Sequence, residues 1–233
     1  SAGPVTIEIA DEAGKPVRRF SSLDPAPAIR DEGNIPRWWP RPARPPSGEP
    51  GLHRFVWDLH FASPAASEFS YPISAIPGDT PKEPRGPWAA PGRYTVTLHA
   101  GGETLTRPLT VKLDPRVKVA KAALQQQLAL SLKVTTELQK TAAALRELEQ
   151  LRTQHATPDK ELDALKGTAE ERDMNKPPLP ETPSLTRSSA QLTQALQQLQ
   201  SADAAPTAAM EKAVEAALRE ADAVLARWTK LKG

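Results

Sequence analysis

The stretch "GRYTVTLHAGGETLTRPLTVKLDPRVK", Gly92 to Lys118, contains both the clearest strand pattern in the chain and the point where that pattern stops. Tyr94, Val96 and Leu98 alternate with Thr95, Thr97 and His99, the period of a strand with one apolar face. Gly101-Gly102 supplies the positive φ angles of a tight hairpin turn, and Leu105, Leu109, Val111 and Leu113 populate the returning strand. After "LDPRVK", Leu113 to Lys118, the composition changes. Nineteen of the 25 prolines and ten of the eleven aromatic residues lie at or before Pro115, and Trp228 is the only aromatic beyond it. A shift this sharp marks a domain boundary, predicting a first domain over 1–115 and a second over 116–233.

Working back from the hairpin, the first part reads as antiparallel β. "VTIEIADEAGKPVRRF" alternates Val5, Ile7 and Ile9, turns through "DEAGK", and returns over Val17 to Phe20. "GLHRFVWDLHF" sets Phe55, Trp57, Leu59 and Phe61 against Arg54, Asp58 and His60, so a further strand is expected there, with His60 facing solvent and His53 opening the apolar face. Short strands with one apolar face must stack in two sheets to bury it, so a β-sandwich is expected. Two proline-rich excursions interrupt it, at about residues 23–50 and 62–91.

Working forward, the second part reads as helices. Leu124, Leu128, Thr135, Leu138, Ala142, Leu145 and Leu148 recur at helical spacing from about Lys121 to Gln154, with no Gly or Pro between. Thr157 and Pro158 have the types of an N-cap and first helical residue for a short helix ending near Gly167. Thr182 or Ser184 starts another through Leu185, Leu192, Leu196 and Leu199. Met210, Val214, Ala217, Ala221, Val224, Trp228 and Leu231 form the most regular stripe. Three or four such helices, separated by proline-marked turns, predict an antiparallel α-helical bundle rather than a long intermolecular coiled coil.

The composition excludes several functions. Basic and acidic residues balance 13 to 13 up to Pro115 and 17 to 15 beyond it, for a formal net charge of +2, so neither part gives a basic surface for nucleic acid. There is no cysteine, hence no disulfide, thiolate metal site or cysteine nucleophile. No apolar run reaches the length of a membrane span, and "SAGPVTIEI" enters a strand at once, as in a piece whose original N-terminus lay elsewhere. None of His53, His60, His99 and His155 has metal-ligand spacing, and neither a Gly-x-Ser-x-Gly elbow nor a phosphate loop occurs. Asp58, Asp79 and Glu83 lie near the aromatic loops without a spacing that unites them. No catalytic residue, metal site or cofactor is therefore assigned. The candidate ligand-binding residues are Trp38, Trp39, Tyr71 and Trp88, aromatics set among prolines. They read first as a plug that extends the core, and second as a platform for a sugar or a peptide proline. Pro36 and Pro40 favour extended backbone around the tryptophan pair, so one indole is expected inward and the other outward.

The run "GLHRFVWDL…APGRYTVTLHAGGETLTRPLTV" resembles the immunoglobulin-like module of the flagellar hook-capping protein, in which a Trp-Asp strand precedes a Pro-Gly-x-Tyr-x-Val hairpin. "PVTIEIADEAGKPVRRF", "YPISAIPGDTPKEPRGPWAAPGRYTV", "LTVKLDPRV" and "QSADAAPTAAMEKAVEAALREADAVLARW" together resemble the C-terminal region of large bacterial BNR-repeat, sortilin-like β-propeller proteins, often labelled glycosyl hydrolases. The resemblance implies an immunoglobulin-like or fibronectin-III-like sandwich, an upstream propeller as partner, and export to the periplasm or beyond. It carries no catalytic residue over, because the Asp-box signature of the repeat, Ser-x-Asp-x-Gly-x-x-Trp, does not occur here. The function it implies is that of an accessory module bracing a propeller or docking a protein partner; a glycan-binding, hydrolase-associated module is the alternative.

Overall fold

A computed structural model describes residues 3–25, 35–36, 38–40, 44–65, 71, 75–78, 81–154, 160–167 and 182–232. The chain is mixed α+β: a four-stranded antiparallel sheet and four helices. It divides into two compact units, Ser1–Ser63 with Phe69–Leu124, and Pro64–Glu68 with Gln125–Gly233.

In the first unit β1 (Thr6–Asp11), β2 (Pro16–Ser21), β3 (Gly92–Ala100) and β4 (Glu103–Val111) lie in the order β2-β1-β3-β4. The β1–β2 turn is held by the Asp11 carboxylate, which accepts from the N–H groups of Ala13 (3.0 Å) and Lys15 (2.8 Å). The β3–β4 turn places Gly101 at φ 60° and Gly102 at φ 82°, which the paired glycines adopt without Cβ strain. Register sets Ile9 opposite Val96 and Ile7 opposite Leu98, so one face of the sheet is apolar. Ile9, Val17 and Tyr94 are buried on it with Ala89, and Phe20, Trp57, Phe61, Val96, Leu109 and Val111 pack against them. The opposite face is polar: Thr97 Oγ1 lies 3.5 Å from Thr106 Oγ1, and His99 Nδ1 lies 3.0 Å from Thr104 Oγ1.

One sheet is described where the strand pattern predicted two. The segment "GLHRFVWDLHF" supplies the layer over the apolar face, but among the described residues its only ladder contact is an isolated bridge between His60 and Trp88. Phe55, Trp57, Leu59 and Phe61 are half-buried as their alternation predicted, while His53 is exposed, its Nε2 lying 2.7 Å from the Glu49 carbonyl. His60 is buried instead of facing solvent.

All but the first turn of α1 (Lys121–Gln154) lies in the second unit, with α2 (Lys160–Lys166), α3 (Leu185–Leu199) and α4 (Ala208–Lys232), and these helices follow the sequence pattern closely. Val134 and Leu138 of α1 share a core with Leu192, Leu196 and Leu199 of α3 and with Val214, Ala217 and Ala221 of α4. Further along α1, Leu145 and Leu148 meet Leu162 and Leu165 of α2, Leu185 of α3, and Val224 and Trp228 of α4. That order of contacts makes α3 antiparallel to α1 and α4, with α2 closing one end. The helix ends are satisfied by side chains. Ser184 caps α3, its hydroxyl accepting from the Arg187 N–H, and the Gln127 amide donates to the carbonyls of Leu199 and Ala202 beyond the other end. Gly167 ends α2 at φ 74°, and a Cβ there would lie 2.2 Å from the Ser184 hydroxyl.

Candidate functional site

The four candidate aromatics all belong to the loops of the sheet unit. Trp38 is 79% exposed, and Trp39 is half-buried. The pair therefore splits between outside and inside, as adjacent residues of an extended chain do. Trp39 anchors its loop through the backbone: its N–H donates to the Pro36 carbonyl (2.9 Å), and its own carbonyl accepts from Gly78 N–H (2.8 Å). The second hydrogen bond ties the first proline-rich excursion to the other. Tyr71 is half-buried, with the Lys82 ammonium 5.3 Å from its ring centre. Among the described residues no two of the four rings touch, so they do not form one continuous platform.

Trp88 lies in the most connected part of the loops. Its ring packs on His60 at 3.7 Å between centroids, and the Arg85 guanidinium lies 5.5 Å from its ring centre, leaving Trp88 43% exposed. Around it the chain segments 58–61 and 85–89 are stitched together. Phe61 N–H donates to the Pro87 carbonyl (2.8 Å), Ala89 N–H to the Leu59 carbonyl (2.7 Å), and Arg85 to the Asp58 carboxylate (3.1 Å). The approach is possible because residue 86 is glycine: a Cβ there would fall 2.1 Å from the Phe61 carbonyl oxygen.

His60, 4% exposed, is the pin of this assembly. Its Nδ1–H donates to the Gly86 carbonyl at 2.5 Å, which fixes the tautomer and leaves the lone pair on Nε2. That Nε2 is buried without a hydrogen-bond partner. Burial, first of all, pushes the imidazole pKa below its ordinary value; the Gly86 carbonyl opposes the shift, the Arg85 charge adds to it, Asp58 opposes it and Arg18 adds to it. The ring is thus neutral, and its basic nitrogen is sealed from solvent. Asp58 is turned away from Nδ1, accepting instead from the His60 backbone N–H (3.2 Å) and from Arg85. This geometry holds two loops together and does not present a base to a substrate.

Sequence reading missed His60 because it assumed unbroken alternation. Leu59 has φ 59°, a left-handed residue that breaks the regular alternation, and the residue after it, His60, is buried. The available signal was the glycine before "PW", the kind of position where one backbone approaches another closely.

His99 Nε2 is 3.6 Å from Glu8 on the exposed polar face. Asp79 and His155 lie outside the described residues, as do Thr157 and Pro158. Among the described residues no group of three His, Cys, Asp or Glu side chains is placed to hold a metal ion, and no helix is long and apolar enough to cross a membrane. No family model, curated protein or solved structure matches the chain.

Proposed function

We propose that the chain is a non-catalytic accessory and interaction module of an exported, BNR-repeat or sortilin-like β-propeller protein. In this reading the sheet unit is an immunoglobulin-like sandwich module, the helices form a bundle behind it in sequence, and the loop aromatics dock a protein surface. The observation that carries it is the contrast between Trp38 and His60. The polar group with the most unusual environment is buried as a structural pin, while a bare indole is held out on a loop that backbone hydrogen bonds anchor. An exposed tryptophan on an anchored loop is the usual chemistry of an interface anchor. A supporting feature is Tyr94, whose hydroxyl donates to the Ala90 carbonyl four residues upstream, the arrangement of a tyrosine corner in immunoglobulin-like sandwiches.

The test is co-purification of this chain with the upstream part of the same polypeptide, expressed separately. Binding that Trp38→Ala weakens supports docking on the propeller; a reading frame with no propeller before Ser1 sinks the proposal. The exposed indole also suits stacking on a sugar ring, the second reading. Quenching or shifting of tryptophan emission by soluble glycans, lost in Trp38→Ala, would select it over protein docking.

A further inference from the structure

The fold guards one sheet edge and leaves another stretch of backbone open. On β4, an edge strand, Pro108 sits opposite Thr95 in an unbroken register, so its nitrogen, which has no hydrogen to donate, faces away from β3. The guanidinium of Arg107 donates to the Thr106 carbonyl at 2.8 Å, occupying a neighbouring acceptor. Both devices discourage an incoming strand.

The segment Leu52 to Asp58 has no such protection. From Arg54 to Asp58 its exposure alternates in the manner of an extended chain. Phe55 packs on Phe20 at 4.7 Å between ring centroids, and Trp57 packs edge-on against Tyr94 at 5.7 Å, so the inner side is anchored to the sheet. The Trp57 indole N–H also donates to the His60 carbonyl at 2.9 Å. Yet among the described residues no backbone N–H or carbonyl from Leu52 to Trp57 has a hydrogen-bond partner. On the outer side Leu52 is fully exposed and Val56 is 66% exposed, with Arg54 and Asp58 flanking the valine. The sequence has a strand's pattern, and among the described residues no strand pairs with it.

We propose that this segment pairs with the same segment of a second copy, giving a two-fold antiparallel dimer with Val56 on the axis. In that register Val56 faces Val56, and Arg54 of each chain faces Asp58 of the other on both sides of the axis. Phe55 of each chain faces Trp57 of the other. The outer side is thus self-complementary in charge, as an isologous interface requires. Asp58 already accepts from Arg85, but a carboxylate has acceptor positions for a second guanidinium. Because the segment is already held by Phe55 and Trp57, pairing orders little that is not ordered beforehand. The proposal stands on this strand alone and does not depend on the accessory-module reading.

The test is sedimentation velocity on the whole chain over a concentration series, with tryptophan emission, which follows the sheet unit, confirming that each variant folds. A monomer–dimer equilibrium is expected. Arg54 has no partner of its own among the described residues, so Arg54→Asp spares the fold while placing like charges opposite each other twice. Two cross-strand pairs then turn from attractive to repulsive, and dimer affinity should fall roughly tenfold or more. Val56→Pro, which removes a central donor, should abolish the dimer. Combining Arg54→Asp with Asp58→Arg should restore it relative to Arg54→Asp alone. A chain that stays monomeric at the highest concentration reached overturns the proposal. So does a dimer that neither Arg54→Asp nor Val56→Pro weakens, or a monomer that instead captures an unrelated extended peptide at this strand.

Discussion

Replacing Trp57 tests whether the layer over the sheet contributes to stability. The ring is half-buried, meets Tyr94 edge-on at 5.7 Å, and donates its indole N–H to the His60 carbonyl at 2.9 Å. A tryptophan buries about 150–250 Å² when fully enclosed. Roughly half of that, about 100 Å², is worth about 2.5 kcal/mol at about 25 cal/mol per Å². The edge-on aromatic contact adds about 1 kcal/mol. The hydrogen bond contributes about another 0.5–1.5 kcal/mol, less whatever water recovers at the freed carbonyl. Trp57→Ala should therefore cost about 4 kcal/mol, while Trp57→Phe, which keeps most of the packing, should cost about 1–2 kcal/mol.

The assay must separate the two units, because a chain with two compact parts need not unfold in one step. Four of the five tryptophans lie in the sheet unit and the helices dominate the far-ultraviolet dichroism, so emission and ellipticity follow different parts. In urea, with a slope of about 1–1.5 kcal/mol/M for a unit of this size, Trp57→Ala should move the emission midpoint down by about 3–4 M. The ellipticity midpoint should stay in place. A loss under about 1 kcal/mol for Trp57→Ala would show that the segment carries no weight. Equal losses for Ala and Phe would show that the hydrogen bond, not the ring, is what matters.

Lowering the pH should weaken the sheet unit through His60. Its folded pKa lies below the ordinary value of 6.5, so its contribution is present above that value and is lost as the pH falls below it; urea midpoints should drop from pH 7 to pH 5, and less so in His60→Asn. Gly167→Ala forces an L side chain into left-handed backbone and against the Ser184 cap, and should lower helical stability by about 2–3 kcal/mol by ellipticity. Trp38→Ala should leave the thermal midpoint unchanged and Trp39→Ala should lower it; two neutral variants would leave the plug role without support. Residues 116–233 alone should be helical by circular dichroism, since the two helical cores draw only on α1 to α4. A random-coil spectrum would show that the helices need the sheet unit.

The helices were legible because a helix is specified by neighbours in sequence. The stripe from Met210 to Leu231 names the buried face directly: Val214, Ala217, Ala221, Val224 and Trp228 are all in the core. Ser184 was one of two residues whose type marked the start of α3, and it is the one whose hydroxyl caps it. The hairpins were legible for the same reason, since Gly14 and Gly101-Gly102 fix turns between strands adjacent in sequence. For the four loop aromatics, the pattern predicted a split between Trp38 and Trp39 but gave no means of telling which ring would be exposed. That depends on a hydrogen bond from Gly78, some forty residues away, and no local preference encodes it.

The segment from Leu52 to Phe61 shows where local reading ends. Alternation tells which side chains face the sheet: Trp57 and Phe61 pack against its core, and Phe55 against Phe20. It says nothing about what the backbone bonds to, because a ladder requires a second strand that alternation does not name. Nor does it survive a left-handed residue. Leucine pays a steric penalty at φ 59°, so residue type gives no warning at Leu59, and the penalty is borne because three long-range contacts favour it together. These are the His60–Gly86 hydrogen bond, the Trp88 ring on the imidazole, and the close approach that Gly86 permits. Removing the room at Gly86 should therefore do more than removing His60 itself. Gly86→Ala drives a methyl into the Phe61 carbonyl and breaks the Phe61–Pro87 and His60–Gly86 bonds together, whereas His60→Asn leaves the backbone bonds intact. Tryptophan emission of the chain distinguishes the two, shifting to the red at neutral pH in Gly86→Ala and staying near the parent in His60→Asn. Equal shifts would mean that the imidazole, rather than the backbone fit, holds the loops together.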